Sequence, residues 1–185
     1  NNMYQEFIEI LILSAVQGIS EFLPVSSSAH LIIVSEFYNL KTSSMLIDIS
    51  LHLGSLFAII FYFRKDLFDL KNNKKLFQLI IIGSLPIIFF GYMLYSTELI
   101  YLLRNIKVIA STTLFFAIIL FFADQKKIEK KLSTDLNIKS IIFIGIFQIL
   151  ALIPGVSRAG ISLTAARLLK FNRVDSSKIS FLLSI

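Results

Sequence analysis

The chain has 185 residues, of which 56% are hydrophobic and 18 are Phe, whereas soluble domains average roughly 45–50% apolar residues. Its net charge of +6 would suggest a nucleic-acid partner in a soluble protein, but here the basic residues fall in short loops between apolar runs, where they set membrane topology. The absence of cysteine excludes disulfides, thiol catalysis and cysteine-based metal sites.

In chain order, the N-terminus carries Glu6 and Glu9 and does not read as a basic signal peptide. An apolar stretch over residues 7–40 is interrupted by Gln17, Glu21, Pro24, Ser26, Ser27, Ser28 and His30. Three uninterrupted runs follow at 47–63, 76–95 and 108–123, about the length that spans a bilayer. A second interrupted stretch covers 138–169, where Gln148 precedes Pro154-Gly155-Val156-Ser157-Arg158-Ala159-Gly160. Each interruption reads glutamine, apolar helix, proline, small-residue turn, serine and resumed helix. With a one-residue gap the two repeat.

Charge orients the repeats. If each interruption is a re-entrant hairpin, three spans lie between them and they enter from opposite faces. One side then holds thirteen basic residues: Arg64, Lys65, Lys71, Lys74, Lys75, Lys126, Lys127, Lys130, Lys131, Lys139, Lys170, Arg173 and Lys178; the other holds three, Lys41, Arg104 and Lys107. That is a strong positive-inside asymmetry. The expected fold is an all-α polytopic membrane protein with inverted repeats, whose two broken-helix hairpins meet near the bilayer midplane. It forms a single integral membrane domain over 1–185, with a first repeat at about 3–106 and an incomplete second at about 107–185.

Gln17 and Glu21 are four residues apart and share a helix face, which Ser14 extends. Pro24 ends that helix. Ser26, Ser27 and Ser28 are N-cap candidates for the next one, with His30 in its first turn. In the second interruption Ser157 is the cap candidate and Arg158 the first helical residue, a permanent cation with a fork suited to phosphate. Two helix N-termini, an arginine, hydroxyls, an imidazole and a carboxylate suit a phosphate or diphosphate. The carboxylate fits cation binding or base chemistry, and His30 fits proton transfer or attack.

Blander readings stand beside these. The serines also suit capping and close helix packing, and Gln17 suits an interhelical bridge. Asp48 and His52 line the outer mouth or rest in the interface. Arg64-Lys65-Asp66 reads as an anchor, Arg167 as a topology charge or a head-group contact, and Pro86 and Gly91 as kink or packing positions.

The two motifs, Gln17-Gly-Ile-Ser-Glu21 running into Pro24–His30 and Pro154-Gly-Val-Ser157-Arg158-Ala159-Gly-Ile-Ser162, resemble those of the bacterial undecaprenyl-diphosphate phosphatase family, also called the bacitracin-resistance protein family. The stretches Asp48-Ile-Ser-Leu-His52-Leu-Gly-Ser and Phe181-Leu-Leu-Ser-Ile185 resemble family segments too. Two departures stand out: Ala159 replaces a serine, and Ser162 replaces a threonine. The chain ends in an apolar run from about Ile179, so it is expected to be C-terminally truncated relative to the family, with the second repeat incomplete.

The resemblance implies hydrolysis of undecaprenyl diphosphate to undecaprenyl phosphate and phosphate. That reaction recycles the lipid carrier for cell-wall synthesis and confers bacitracin resistance. It also implies a multi-pass protein of the bacterial plasma (inner) membrane, with its active site opening to the outer face and a divalent cation, Mg2+ or Ca2+. The implied catalytic residues are Glu21, His30, Ser27 and Arg158. Gln17, Ser26, Ser28, Ser157, Gly155 and Ser162 would bind substrate, and Glu21 with Gln17 would serve the metal. A homodimer stays open. A type-2 phosphatidic-acid phosphatase is discarded, because Thr164 stands where its histidine is needed. The alternative is a polyprenyl-phosphate transporter or flippase using the same head-group site, since helix breaks at mid-membrane are typical of transporters.

Overall fold

The computed structural model describes residues 2–42, 44–65, 67–68, 73–97 and 105–184. Asp66, Lys71, Arg104 and Ile185 lie outside the described residues. The described secondary structure is helical apart from one isolated bridge.

Each interruption becomes a helix break. Helix α1 (Asn2–Ser20) ends before Pro24, and α2 (Ser27–Phe37) begins immediately after Ser26. The Ser26 side chain accepts the backbone N–H of Ala29, so it is the N-cap. In the second half, α7 (Ile138–Ile149) tightens into a 3-10 turn (Leu150–Leu152), and α8 (Arg158–Leu168) starts after Ser157, which accepts from Gly160 N. Both capping serines stand nine residues after a buried glutamine, Gln17 or Gln148. The gap between the repeats therefore lies inside the turn, and the caps are in register.

Between the breaks run α3 (Met45–Tyr62), α4 (Lys74–Ser96) and α5 (Ile106–Asp124). By length and composition α4 and α5 are able to cross a membrane, while α3 is a shorter apolar helix. Large apolar side chains on them face outward, among them Phe61 at 70% exposure, Phe89 at 65% and Phe121 at 62%. Such a surface is unsuited to water and suited to lipid. Helix α4 runs through Pro86 without ending, and Gly91 packs within reach of the Leu152 side chain.

A buried cluster of Leu79, Ile141, Ile144, Ala165, Phe171, Ile179 and Leu183 joins α4, α7, α8 and α9 (Arg173–Ser184). Helices α4 and α7 run parallel and touch backbone to backbone: a Cβ on Gly145 would lie 2.4 Å from the Gly83 carbonyl oxygen.

The chain between α5 and α7, which includes the short α6 (Leu132–Asp135), is tied to the turn after α8. Lys130 and Phe171 form a parallel bridge, and Leu132 N donates to Asp175 Oδ2 at 2.9 Å. Arg167 fastens this corner. It is 2% exposed, and its guanidinium donates to Asp124 Oδ1 (3.0 Å), Asp124 O (2.6 Å), Lys126 O (2.8 Å) and Phe171 O (2.5 Å). This corrects the reading of Arg167 as a head-group contact: a buried guanidinium with four hydrogen bonds to this corner lies away from the cavity. Arg173 pairs with the same Asp124 from outside. Arg64 turns back on α3, stacking on Phe61 and donating to its carbonyl.

These ties bring residues 124–139 and 170–178 to one end of the molecule. The N-terminus of α4, with Lys74 and Lys75, joins them, because the parallel helices α4 and α7 start at the same end. Helix α7 leaves that end and α8 packs against it on the way back.

Candidate active site

The two breaks face one cavity of about 650 Å³, walled by Glu21, Ser26, Ser27 and Ser28 from the first and by Pro154, Ser157, Arg158 and Ala159 from the second. The breaks touch: a Cβ on Gly160 would come within 3.2 Å of the Pro24 carbonyl oxygen. Helix α3 closes a third side with Asp48, His52 and Ser55.

Glu21 is the hub. Its Oε2 accepts from Ser27 Oγ at 2.5 Å and from Gln17 Nε2 at 3.0 Å. Its Oε1 lies 3.6 Å from Arg158 Nη2, and its Oε2 lies 3.7 Å from His52 Nε2. Gln17, one helical turn earlier, is buried behind the carboxylate and also donates to Ser55 Oγ at 3.3 Å, so α3 braces the pair from the side. The i,i+4 spacing of Gln17 and Glu21 has become a hydrogen bond. Arg158 begins α8 with its side chain 44% exposed, its fork turned to the cavity.

His30 is placed differently. It is exposed and lies off the cavity wall, and its Nδ1–H donates to the Ser26 carbonyl at 2.7 Å. His52 is the imidazole on the cavity wall; its Nδ1–H donates to the Asp48 carbonyl at 2.8 Å, which turns Nε2 toward Glu21. The reading of Asp48 and His52 as mouth-lining groups is the one the geometry favours. Ser162 is fully buried with no hydrogen-bond partner and does not reach the cavity. Gly155 is in the turn behind the wall.

Gly155 has φ +89°, the left-handed region that glycine adopts freely. A Cβ there would strike Thr112 Oγ1 at 2.3 Å and Ile109 O at 2.6 Å. Thr112 and Thr113 on α5 hold this turn: Thr112 Oγ1 donates to the Pro154 carbonyl at 2.7 Å, and Thr113 Oγ1 to the Gly155 carbonyl at 3.0 Å. Sequence reasoning missed both. The available signal was the run of three hydroxyls, Ser111-Thr112-Thr113, in an otherwise apolar span.

Among the described residues no three His, Asp or Glu side chains converge to hold a metal. Glu21 offers one carboxylate, Ser27 a hydroxyl, and Gln17 a buried Oε1 with no hydrogen-bond partner. That donor set fits a hard cation only if phosphate oxygens complete it. Mg2+ is commonly held this way, by one or two carboxylates plus the phosphates of the substrate.

A model of the bacitracin resistance protein BacA family matches residues 10–185. The chain belongs to that family. It is 64% identical over 184 residues to the undecaprenyl-diphosphatase of Pelagibacter ubique (strain HTCC1062), covering 99% of this chain and 72% of that protein. It is 40% identical to the undecaprenyl-diphosphatase of Saccharophagus degradans, covering 97% of this chain and 72% of the relative. It is 38% identical to undecaprenyl-diphosphatase 1 of Pseudoalteromonas translucida, covering 96% and 71%. The family match takes in both helix breaks and α3, α4 and α5 between them.

Proposed function

We propose that this protein is a membrane phosphatase that hydrolyses undecaprenyl diphosphate to undecaprenyl phosphate and inorganic phosphate, returning the lipid carrier to cell-wall synthesis. Family membership and the names of its relatives support the reaction. The observation that carries the site is the meeting of Ser27, Glu21 and Arg158 in one cavity, contributed by two distant breaks in the chain.

The 2.5 Å Ser27–Glu21 hydrogen bond is the geometry of a nucleophile beside its base. Ser27 Oγ attacks the terminal phosphorus and its proton passes to Glu21. The bond from that phosphorus to the bridging oxygen breaks, and the lipid monophosphate leaves with the bridging electron pair. Glu21 returns that proton to the departing lipid monophosphate and is a carboxylate again. It then takes a proton from water as the water oxygen attacks the phosphoserine phosphorus. The bond to Ser27 Oγ breaks, Oγ leaves with the electron pair and recovers the proton from Glu21, and phosphate is released. Arg158 holds the non-bridging oxygens as their charge redistributes. Gln17 fixes the carboxylate's rotamer, and the capping of α2 and α8 by Ser26 and Ser157 places Ser27 and Arg158 at the first helical positions. A divalent cation shared by Glu21, Gln17 and the substrate's phosphates would neutralise charge on the diphosphate.

The membrane arrangement we infer is re-entrant and inverted, with the cavity opening to the outer face of the bacterial plasma membrane. The collection of basic loops at one end and the return of α8 along α7 support it.

The test is phosphate release from undecaprenyl diphosphate by the purified full-length protein with Mg2+ or Ca2+, together with acid-quench trapping of labelled phosphoenzyme. Release and a trapped phosphoserine that is lost in Ser27→Ala are expected. Intact lipid moving across vesicles with no phosphate released would instead establish the transporter.

A further inference from the structure

Away from the cavity, α4 and α7 enclose a groove of about 530 Å³ near their N-termini, lined by Lys75, Gln78, Leu79, Ile82, Ile138 and Lys139, with Asn137 at its edge. It lies between the Gly83–Gly145 contact, where the parallel helices touch, and the end that carries the basic loops. The wall is amphipathic along its length. Lys75, Gln78 and Lys139 stand at the loop end, while Leu79 and Ile82 line the apolar wall toward the crossing.

We propose that this groove binds one anionic phospholipid, the phosphate between Lys75 and Lys139 and an acyl chain along Leu79, Ile82 and Ile138. The charge complementarity is specific to the place. Among the described residues neither lysine has an ion-pair partner, whereas nearby Lys170 is paired with Glu129 and Arg173 with Asp124. Asn73 caps Leu76 N and Asn137 caps Ser140 N, which satisfies one of the first amides of each helix, and the two ammonium groups supply the full charges that recognise a phosphate. A neutral lipid would satisfy the apolar wall and leave them unpaired. Basic pockets between spans on the positive side of a membrane bind acidic lipid in this way, each lysine contributing about 1 kcal/mol, so the pair corresponds to roughly thirtyfold selectivity over a zwitterionic lipid.

The full-length protein is purified in a neutral detergent and challenged with mixed micelles of phosphatidylglycerol or phosphatidylcholine. Native mass spectrometry reads the bound lipid and thermal unfolding reads the stabilisation. We expect one retained phosphatidylglycerol, a raised Tm, and loss of both in Lys75→Gln/Lys139→Gln, with Lys75→Arg/Lys139→Arg keeping them. Inorganic phosphate at matched concentration is expected to leave the Tm unchanged. Equal retention of phosphatidylglycerol and phosphatidylcholine, undiminished phosphatidylglycerol binding in the double glutamine variant, or absence of any retained lipid would overturn the proposal. The readout is independent of phosphate release, so its failure is distinguishable from failure of the proposed reaction.

Discussion

The two helix breaks share a skeleton and differ in what holds them. The first is held mainly by its own side chains: Gln17 and Ser27 both donate to Glu21 across the break, Ser26 caps the helix beyond it, and Ser55 on α3 adds one brace. The second is held from outside, where a turn with Gly155 at positive φ presents the Pro154 and Gly155 carbonyls to threonines on α5. Hydrogen bonds among reacting groups would be rearranged in each turnover, so the first break has to be a working network. The second presents one guanidinium and needs only a rigid base. In the proposed reaction the first break would supply chemistry and the second would supply position.

The sharpest way to break that division is at the two charges that meet. Glu21→Gln keeps shape and hydrogen bonding but removes the base, and kcat is expected to fall about 10²–10⁴-fold, the usual contribution of a positioned base. Arg158→Lys preserves charge but loses the planar fork, so KM for the diphosphate is expected to rise as kcat falls. If Glu21→Gln turned over normally, the first break would not be the chemical one.

Next is Gly155→Ala. The added methyl is strained at φ +89° and meets both Thr112 and the Ile109 carbonyl. A loss of about 1–3 kcal/mol is expected in thermal or denaturant unfolding. The first break has Val25 between its proline and capping serine, and there Val25→Ala is expected to change stability far less.

Thr112→Val and Thr113→Val test the clamp itself. Each leaves a carbonyl of the Pro154-Gly155 turn without its donor. The double variant is expected to lower kcat/KM about tenfold, the equivalent of roughly 1.4 kcal/mol. Thr112→Ser/Thr113→Ser keeps both hydroxyls and is expected to restore most of the activity. A purely structural role would lower Tm in the valine variant with kcat/KM unchanged.

These contrasts also explain what the sequence makes legible. Helix spans, both breaks, the serine caps and the register of Gln17 with Glu21 follow from local rules of period, proline and capping. The threonine clamp depends on α5 meeting a turn some forty residues away, and Arg167 depends on Asp124 folding over it. Neither partner choice has a local signature. Of the two histidines, motif spacing favoured His30, while helix rotation turned His52 to the cavity wall. That choice is made by the packing of α3 on α1.

The smallest expected effect separates a motif position from a working one. Ser162 stands at the motif's hydroxyl position, yet it is fully buried, has no hydrogen-bond partner and lies away from the cavity. Removing an unsatisfied buried hydroxyl relieves its desolvation cost, so Ser162→Ala is expected to be neutral or to stabilise by about 1 kcal/mol, with kcat/KM within about twofold of the parent. Ala159 is the converse case: it lines the cavity beside Arg158 but lacks the hydroxyl. Ala159→Ser places a donor where the phosphate would lie, and a decrease in KM of about two- to threefold is expected. If Ser162→Ala cost more than Ala159→Ser gained, the second break would bind substrate through its helix interior as well as its rim. The clamp on Gly155 would then be aligning that interior, not just the arginine.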